Sequence, residues 1–259
     1  MIYLIYAVII LVANVLGAVV GMGGSVLIKP MLDMIGAHPL VQINFFSSVA
    51  VLTMAIASTL RQRKQGAATP LPTLVALAIG SVVGGVLGDQ TFNRLLAVLP
   101  AAAVNRLQII LTIASLALAL AYSYWPVAQG HWTHPGLLAL LAATMGWLAT
   151  LLGIGGGPIN VALFMAVCGI PIKQATIWSI VMILFSQLAK VAQVIAVGQL
   201  WAFDLSVLWV VIPTAAVGGV LGAMASKLFQ SSRVTLLYRG AIVVVCLINA
   251  YNGIELMLS

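Results

Sequence analysis

Charged residues are scarce in this chain, and their scarcity excludes most soluble folds. Of its 259 residues 6% are charged, whereas about a quarter are charged in an ordinary soluble domain. Hydrophobic residues make up 63%, and the mean hydropathy is +1.19. Such a chain cannot face water over most of its surface, so we expect an integral membrane protein in contact with the lipid bilayer.

The few charges are mostly basic, with 11 Lys and Arg against 4 Asp and Glu. In a soluble protein this excess would suggest nucleic acid. In a membrane protein it orients the chain, because basic residues concentrate on cytoplasmic loops. We therefore expect no nucleic-acid partner.

Cysteine and histidine are also rare, and their placement does not indicate catalysis. Cys168 and Cys246 lie singly in apolar segments, without the CxxC spacing of metal or redox sites. His38, His131 and His134 lie near prolines in predicted loops. An intramembrane enzyme would need paired acids, a Ser/His dyad or a metal cluster. We predict no enzyme, no catalytic residue, no metal and no cofactor.

Long apolar runs account for most of the chain. Most reach the ~17–25 residues that a helix needs to cross hydrocarbon, and they lack the alternation of barrel strands. The first run lacks the basic start and cleavage site of a secretory signal, so we expect it to be retained. The fold class is therefore all-α and polytopic, with about eight transmembrane segments. The runs are 2–20, 40–60, 71–92, 104–124, 136–152, 173–197, 204–226 and 237–256.

The chain also repeats itself. A glycine-rich motif at 19–25 matches 151–157, and the hexapeptide Val-Gly-Gly-Val-Leu-Gly at 83–88 recurs letter for letter at 217–222. Shared glycines in order at one offset indicate duplication. Single residues keep the register, Gln42 with Gln174 (174 − 42 = 132), Ser47 with Ser179, and Arg106 with Arg239 (239 − 106 = 133).

We divide the chain accordingly into two homologous repeats within a single membrane domain. Repeat 1 is 1–125, the inter-repeat loop is 126–135, and repeat 2 is 136–259. Each repeat is predicted to hold a first element broken by glycine, at 21–25 and at 153–157, followed by three transmembrane helices.

Loop charges bear on how the repeats are oriented. Basic residues at 61–64 follow the second run, and the equivalent loop at 198–203 has none, which favours inverted repeats. The next pair of loops is basic in both halves, near 94–106 and near 227–239, and argues for parallel repeats. We predict inversion and leave the parallel arrangement open.

The glycine clusters are where we expect chemistry. Gly is a poor helix former, and broken backbone inside a membrane is tolerated only where protein or a wet cavity covers it. Helices are predicted to resume at Val26–Ile35 and Pro158–Val167, and a helix N-terminus attracts anions. The alternative is close helix packing, to which we assign the isolated glycines Gly84, Gly88, Gly218 and Gly222.

Polar residues near the breaks complete a predicted anion site. For each of them an interhelical hydrogen bond is the alternative role, and Asn14, Asn44, Ser48 and Thr176 are further candidates. Lys190 lies inside the 173–197 run. A charged side chain there either belongs to a substrate pathway or extends its ammonium group to the membrane interface (snorkelling). Lys29, close after the first break, could do either. The predicted substrate-binding residues are Gly23, Gly24, Ser25, Gly155, Gly156, Gly157, Asn160, Gln42, Ser47, Gln174, Ser179 and Lys190.

These motifs resemble those of the TauE/SafE sulfite exporter family. The resemblance rests on Gly-x-Gly-Gly-Ser/Gly near each repeat start, a second helix with Gln and Ser, and Gly-x-x-x-Gly in the third. It extends over the whole chain, although repeat 1 has Ser25 and Val26 where repeat 2 has Gly157 and Pro158. It implies a multi-pass transporter of the bacterial inner membrane for sulfite, sulfoacetate or a related organosulfonate, coupled to an ion gradient.

The sequence thus predicts a secondary transporter for a small anionic substrate, held by helix N-termini at paired breaks. An anion channel, or a carrier of another small anionic or sulfur-containing metabolite, is the alternative, and a homodimer stays open. Protons are the candidate coupling ion. The acidic residues Asp33, Asp89, Asp204 and Glu255 all fall near predicted segment ends. We therefore expect the substrate to carry the proton, since sulfite titrates near neutral pH.

Overall fold

The computed structural model describes residues 2–66, 69–125, 130–154, 157–198, 200 and 203–258, and in these ranges all regular structure is helical. A short 3-10 turn, Leu205–Val207, precedes α9. The α-helices are α1 Ile2–Val20, α2 Ser25–Ile35, α3 Leu40–Lys64, α4 Leu71–Val98, α5 Ala101–Tyr124, α6 Pro135–Leu151, α7 Pro158–Cys168, α8 Ile172–Ala196, α9 Leu208–Leu228 and α10 Ser231–Leu258.

Seven of the described helices are long and apolar enough to cross a membrane, so the chain is a multi-pass membrane protein. They are α1, α3, α4, α5, α8, α9 with its preceding turn, and α10. The remaining predicted run, 136–152, forms α6, whose 17 residues extend about 25 Å at 1.5 Å per residue. The all-helical prediction is confirmed, and the described residues contain seven helices long enough to cross a membrane, so the count of about eight stays a prediction.

The first two helices form a hairpin. After α1 ends, the chain turns so that Gly24 lies against Gly17, one turn back along α1. At the other end of α2, the ring nitrogen Nδ1 of His38 lies 2.8 Å from the hydroxyl of Tyr6 near the start of α1. The segment therefore returns to the side from which it enters.

Helices α6 and α7 form the same kind of hairpin. The backbone N–H of Gly130, ahead of α6, donates to the carbonyl of Ala166 near the end of α7 (2.9 Å), and that of Trp132 donates to Val167 (3.1 Å). The entry to α6 and the exit of α7 thus lie together.

The last helices of the two halves run antiparallel. Arg106, early in α5, donates to the carbonyl of Leu256 at the end of α10 (2.6 Å). Arg239, early in α10, donates to the hydroxyl of Ser123 at the end of α5 (2.7 Å) and lies 4.0 Å from the ring centre of Tyr124. Each helix therefore begins where the other ends.

The two halves interlock through glycine seams. Helix α1 packs on α9, and in the same way α6 packs on α4. A Cβ on Gly84 would collide with the carbonyl of Ala143, and one on Gly218 would lie 2.9 Å from the Cβ of Asn14. Backbones approach closely in membranes where small residues face each other, so the packing role predicted for these glycines is confirmed.

Helices α3 and α8 cross at the centre of the bundle. They contact each other, and α3 also packs on α9 as α8 packs on α4. Gln62 near the end of α3 and Lys173 at the start of α8 line the same pocket, so these two helices are antiparallel as well.

We expect Gly84→Ala to destabilise the folded protein by about 1–3 kcal/mol, because the added methyl group overpacks the α4–α6 seam. Gly240→Ala is the matched control, since Gly240 also lies in a long helix but has nothing within 4 Å of its Cβ position. Thermal unfolding in detergent measures both. Equal unfolding temperatures for the two variants would contradict close packing of α4 on α6 at Gly84.

Candidate functional site

Both predicted helix interruptions are present. The first break, residues 21–24, separates α1 from α2, and the second break, residues 152–157, separates α6 from α7. Gly21 and Gly153 take left-handed backbone angles, with φ of 75° and 68°, which glycine adopts at little steric cost. Gly155 and Gly156, two predicted site residues, lie outside the described residues.

Protein buries both breaks. All four residues of the first break are buried, as are residues 152–154 and 157 of the second. Ser25, which opens α2, is fully buried, and so is Met22. The non-helical backbone is therefore covered by protein, as a membrane interior requires.

The two breaks also touch each other. The hydroxyl of Ser25 donates a hydrogen bond to the carbonyl of Ile154. Two elements that are far apart in sequence thus meet at the tips of their hairpins, with the start of α2 against the second break.

Each break packs against the third helix of the other half. The hydroxyl of Ser179 on α8 donates to the carbonyl of Gly21 at 2.5 Å, and Thr176 leaves no room for a Cβ on that glycine. On the other side, the side-chain amide of Asn44 on α3 lies directly against Gly153. Asn44 and Thr176 are equivalent in the duplicated register (176 − 44 = 132), so the two contacts are counterparts.

The helix starts at the breaks offer free backbone donors. In the first turn of α2, the backbone N–H of Leu27 donates a hydrogen bond to the carbonyl of Gly24 (3.0 Å). In the first turn of α7, the backbone N–H of Asn160 donates to the carbonyl of Gly157 (3.0 Å). The N–H groups ahead of these have no acceptor within their own helix. Neither Gly24 nor Gly157 has a side chain that could cap them. Such N-termini attract anions.

Buried polar side chains around the breaks have unused hydrogen-bonding capacity. Within the described residues, both amide atoms of Asn14 and Asn44, the hydroxyl of Ser47 and the carbonyl oxygen of Asn160 have no partner. Asn14 lies against Gly24 as Asn44 lies against Gly153. Leaving such a group unpaired costs about 1–3 kcal/mol, so a polar guest here would be stabilised.

Gln42 and Gln174 occupy equivalent positions in the two halves. Each is half-buried in the first turn of its helix, α3 or α8, and five residues before Ser47 or Ser179. Because α3 and α8 are antiparallel, the two glutamines lie toward opposite ends of the bundle. Their role as substrate-binding residues stays a prediction.

Lys190 is buried and faces a carboxylate. It is 3% exposed, as is Asp89 on the adjoining α4, and the two charges interact electrostatically. The interface-snorkelling alternative is therefore wrong. Our expectation that Asp89 lies near a segment end is also wrong, because α4 continues to Val98 and puts Asp89 about 13 Å inside the helix at 1.5 Å per residue.

A second lysine and carboxylate adjoin this pair. The ammonium of Lys29 on α2 lies 3.6 Å from the carboxylate of Asp33 and donates to the side-chain oxygen of Asn105 at 3.4 Å. Lys29 is also within electrostatic range of Lys190. We call Lys29, Asp33, Asp89 and Lys190 the charged cluster, whose formal charge is zero when all four groups are ionised.

The charged cluster adjoins both breaks. Lys29 follows Ser25 by one turn of α2. Gln108 on α5 donates to the carbonyl of Leu151 at the edge of the second break (2.6 Å). Leu151 also packs against Gly88, the neighbour of Asp89 on α4.

Sequence reasoning did not single out Asp89 or Gln108, which the structure places next to the second break. One signal for Asp89 was present: it directly follows the duplicated hexapeptide at 83–88, and the equivalent residue after 217–222 is Ala223. A charge that breaks the match between two otherwise identical segments is a candidate for function.

Comparisons with known proteins agree with this architecture. The chain is 24% identical to the probable membrane transporter protein YunE of Bacillus subtilis (strain 168), over 97% of this chain and 98% of that protein. No solved structure matches the chain. The family model described as sulfite exporter TauE/SafE matches residues 6–251. The chain therefore belongs to the sulfite exporter TauE/SafE family of membrane transporters.

Proposed function

We propose that this protein is a secondary transporter that carries a small oxyanion, such as sulfite or a sulfoacetate-like organosulfonate, across the bacterial inner membrane. The observation that carries the proposal is the meeting of two buried helix breaks through Ser25 and Ile154. The family description, sulfite exporter, supports the substrate class. The proposal assigns no enzymatic activity, cofactor or metal.

The substrate would lie where the breaks meet. Backbone N–H groups at the starts of α2 and α7 would donate to its oxygens, together with the unpartnered hydroxyl of Ser47 and the side-chain NH₂ of Asn160. The hydroxyls of Ser25 and Ser179, which donate to Ile154 and Gly21 in this structure, would turn from those carbonyls to the substrate. Hydroxyls and amides bind an oxyanion without the desolvation penalty of burying a further charge. Lys190 would supply the positive charge. The proposed binding glycines are Gly23, Gly24, Gly155, Gly156 and Gly157.

Gln42 and Gln174 would bind the substrate at the two ends of this site. Each lies five residues, about 7 Å along its helix, outside Ser47 or Ser179. A substrate arriving from one side of the membrane would meet Gln42 first, and from the other side Gln174.

We further propose that 1–125 and 136–259 are inverted repeats. Two observations support this: the hairpins α1–α2 and α6–α7 return the chain to its side of entry, and α5 runs antiparallel to α10. Three full crossings per half then remain, and an odd number reverses the second half. Rocking of such halves about a shared site gives alternating access.

The basic residues agree with that arrangement. The end of α3, the start of α8, the end of α9 and the start of α10 would share one face, and this face would be cytoplasmic. Its basic residues are Arg61, Arg63, Lys64, Lys173, Lys227, Arg233 and Arg239. The opposite face would hold Arg94 and Arg106, and Lys29 and Lys190 are buried.

Gly21→Ala should weaken sulfite binding to the purified protein at least tenfold. The added methyl group would lie 2.6 Å from the Cα of Thr176 and displace the first break from α8. Gly36→Ala is the control, since its φ of 67° imposes the same backbone strain but nothing lies within 4 Å of the new methyl group. Equal loss of affinity in both variants would remove the first break from the site.

Lys190→Met should weaken sulfite binding by roughly 10- to 150-fold, because hydrogen bonds to charged groups contribute about 1.5–3 kcal/mol. Arg63→Met, which removes an exposed charge at the end of α3, should leave the affinity nearly unchanged. Titration of sulfite into each purified variant measures this. Matching affinities in the two variants would show that Lys190 is not part of the site.

Transport by a carrier should saturate. In proteoliposomes loaded with unlabelled sulfite, we expect uptake of labelled sulfite to be slow, to saturate with concentration and to be accelerated by the anion inside. Competition by sulfoacetate, sulfate and acetate then ranks the substrates. A rapid current that does not saturate would identify an anion channel instead.

A further inference from the structure

Asp89 is a buried carboxylate whose charge is only partly compensated. Its direct partner is the side-chain amide of Asn93, which donates to one carboxylate oxygen at 3.0 Å. Among the described residues, the ion pair within 4 Å in this cluster joins Lys29 to Asp33, whereas Lys190 acts on Asp89 from farther away. Of the two acids in the charged cluster, Asp89 therefore has the weaker counter-charge.

The pairing of Asp89 with Lys190 is not needed for helix packing. In the duplicated register, Asp89 corresponds to Ala223 (223 − 89 = 134) and Lys190 to Ser58 (190 − 132 = 58). Ser58 and Ala223 are both buried, and α3 packs on α9 as α8 packs on α4. Small neutral residues thus suffice at the equivalent interface. Charges that packing does not require, inside a membrane, indicate function.

Charge balance shows what that function requires. The charged cluster is neutral when all four groups are ionised, and an entering anion would leave it with an uncompensated negative charge. Buried charge without a partner is strongly unfavourable. A positive charge must therefore enter with the anion, and the simplest one is a proton on a carboxylate.

The surroundings of Asp89 single it out as the acceptor of that proton. Lys190 faces it from α8, and Lys29 of α2 acts on Lys190. Helix α6, packed along α4, contains no titratable side chain. On α5, Arg106 is bound to the carbonyl of Leu256. Asp33 already has its own ion pair, so the carboxylate that responds to an anion at Lys190 is Asp89.

We propose that Asp89 is the proton-binding residue of the carrier. A proton from water adds to one carboxylate oxygen of Asp89 as the anion binds at Lys190, which stays an ammonium throughout, and the proton leaves when the anion leaves. One proton then travels with each anion, in the same direction. This inference rests on the proposed function, and it places the coupling proton on the protein instead of on the substrate.

The test uses methanesulfonate, which stays ionised at every pH examined and so contributes no proton of its own. Proton uptake on binding is measured in weakly buffered detergent solution, and pH-driven uptake is measured in proteoliposomes. The wild-type protein should take up about one proton per anion, and its affinity should fall up to tenfold per pH unit once Asp89 is ionised.

Asp89→Asn mimics the protonated acid and can still accept the hydrogen bond from Asn93. We expect it to bind methanesulfonate without proton uptake, with an affinity that no longer changes with pH, and to exchange anions without response to a pH gradient. Glu255→Gln, which removes an exposed carboxylate, should behave as the wild type. If the asparagine variant does not fold, Asp89→Ala installs the residue of the equivalent position and repeats the measurement.

Two results would overturn the inference and leave the proposed function standing. One is undiminished proton uptake in the Asp89 variants, and the other is its loss in Asp33→Asn instead. If the wild-type protein neither binds nor exchanges methanesulfonate, sulfite or sulfoacetate, the proposed function fails and this inference fails with it.

Discussion

A backbone that leaves the helix inside a bilayer must find protein to cover it, and this requirement governs the whole arrangement. Neither glycine break is covered by its own hairpin alone. Each lies under a helix of the other half, α8 over Gly21 and α3 over Gly153, and the two are joined by the hydroxyl of Ser25. The hairpins, the central crossing of α3 with α8, and the close glycine seams all hold these two points together.

Around the breaks, the protein buries polar side chains that have no hydrogen-bond partner, where apolar side chains could have been used. The amides of Asn14 and Asn44 are buried without partners among the described residues, which a purely structural core would avoid. The charged cluster beside them is balanced to a formal charge of zero. An interior that is polar, has no net charge and contains unpaired hydrogen-bonding groups can bind a substrate reversibly. A fixed excess of positive charge would instead bind an anion too tightly to release it.

Sequence patterns predicted what depends on composition and local backbone. Hydropathy located the helices, and glycine clusters located both breaks, since few other residues tolerate those angles. Sequence patterns did not predict the contacts between segments that are far apart along the chain. Hydropathy ended the third run at residue 92 because Asn93 and Arg94 follow, yet α4 continues to Val98, so Asp89 was placed too near the surface. The hairpins and the burial of Lys190 depend on packing between helices of the two halves. No single segment of the sequence contains that information.

The first helix of each half packs against a helix of the other half, and this bears on how the protein evolved. The groove that receives α1 belongs to α9, and the one that receives α6 belongs to α4, so an isolated half would leave its glycine break without a cover. If the repeats are inverted as proposed, a half-length ancestor would have worked as two copies inserted in opposite senses, each burying the glycine break of the other. Fusion of the two genes would later have let the first half acquire Asp89 and the second half Lys190, while the equivalent positions, Ala223 and Ser58, stayed neutral.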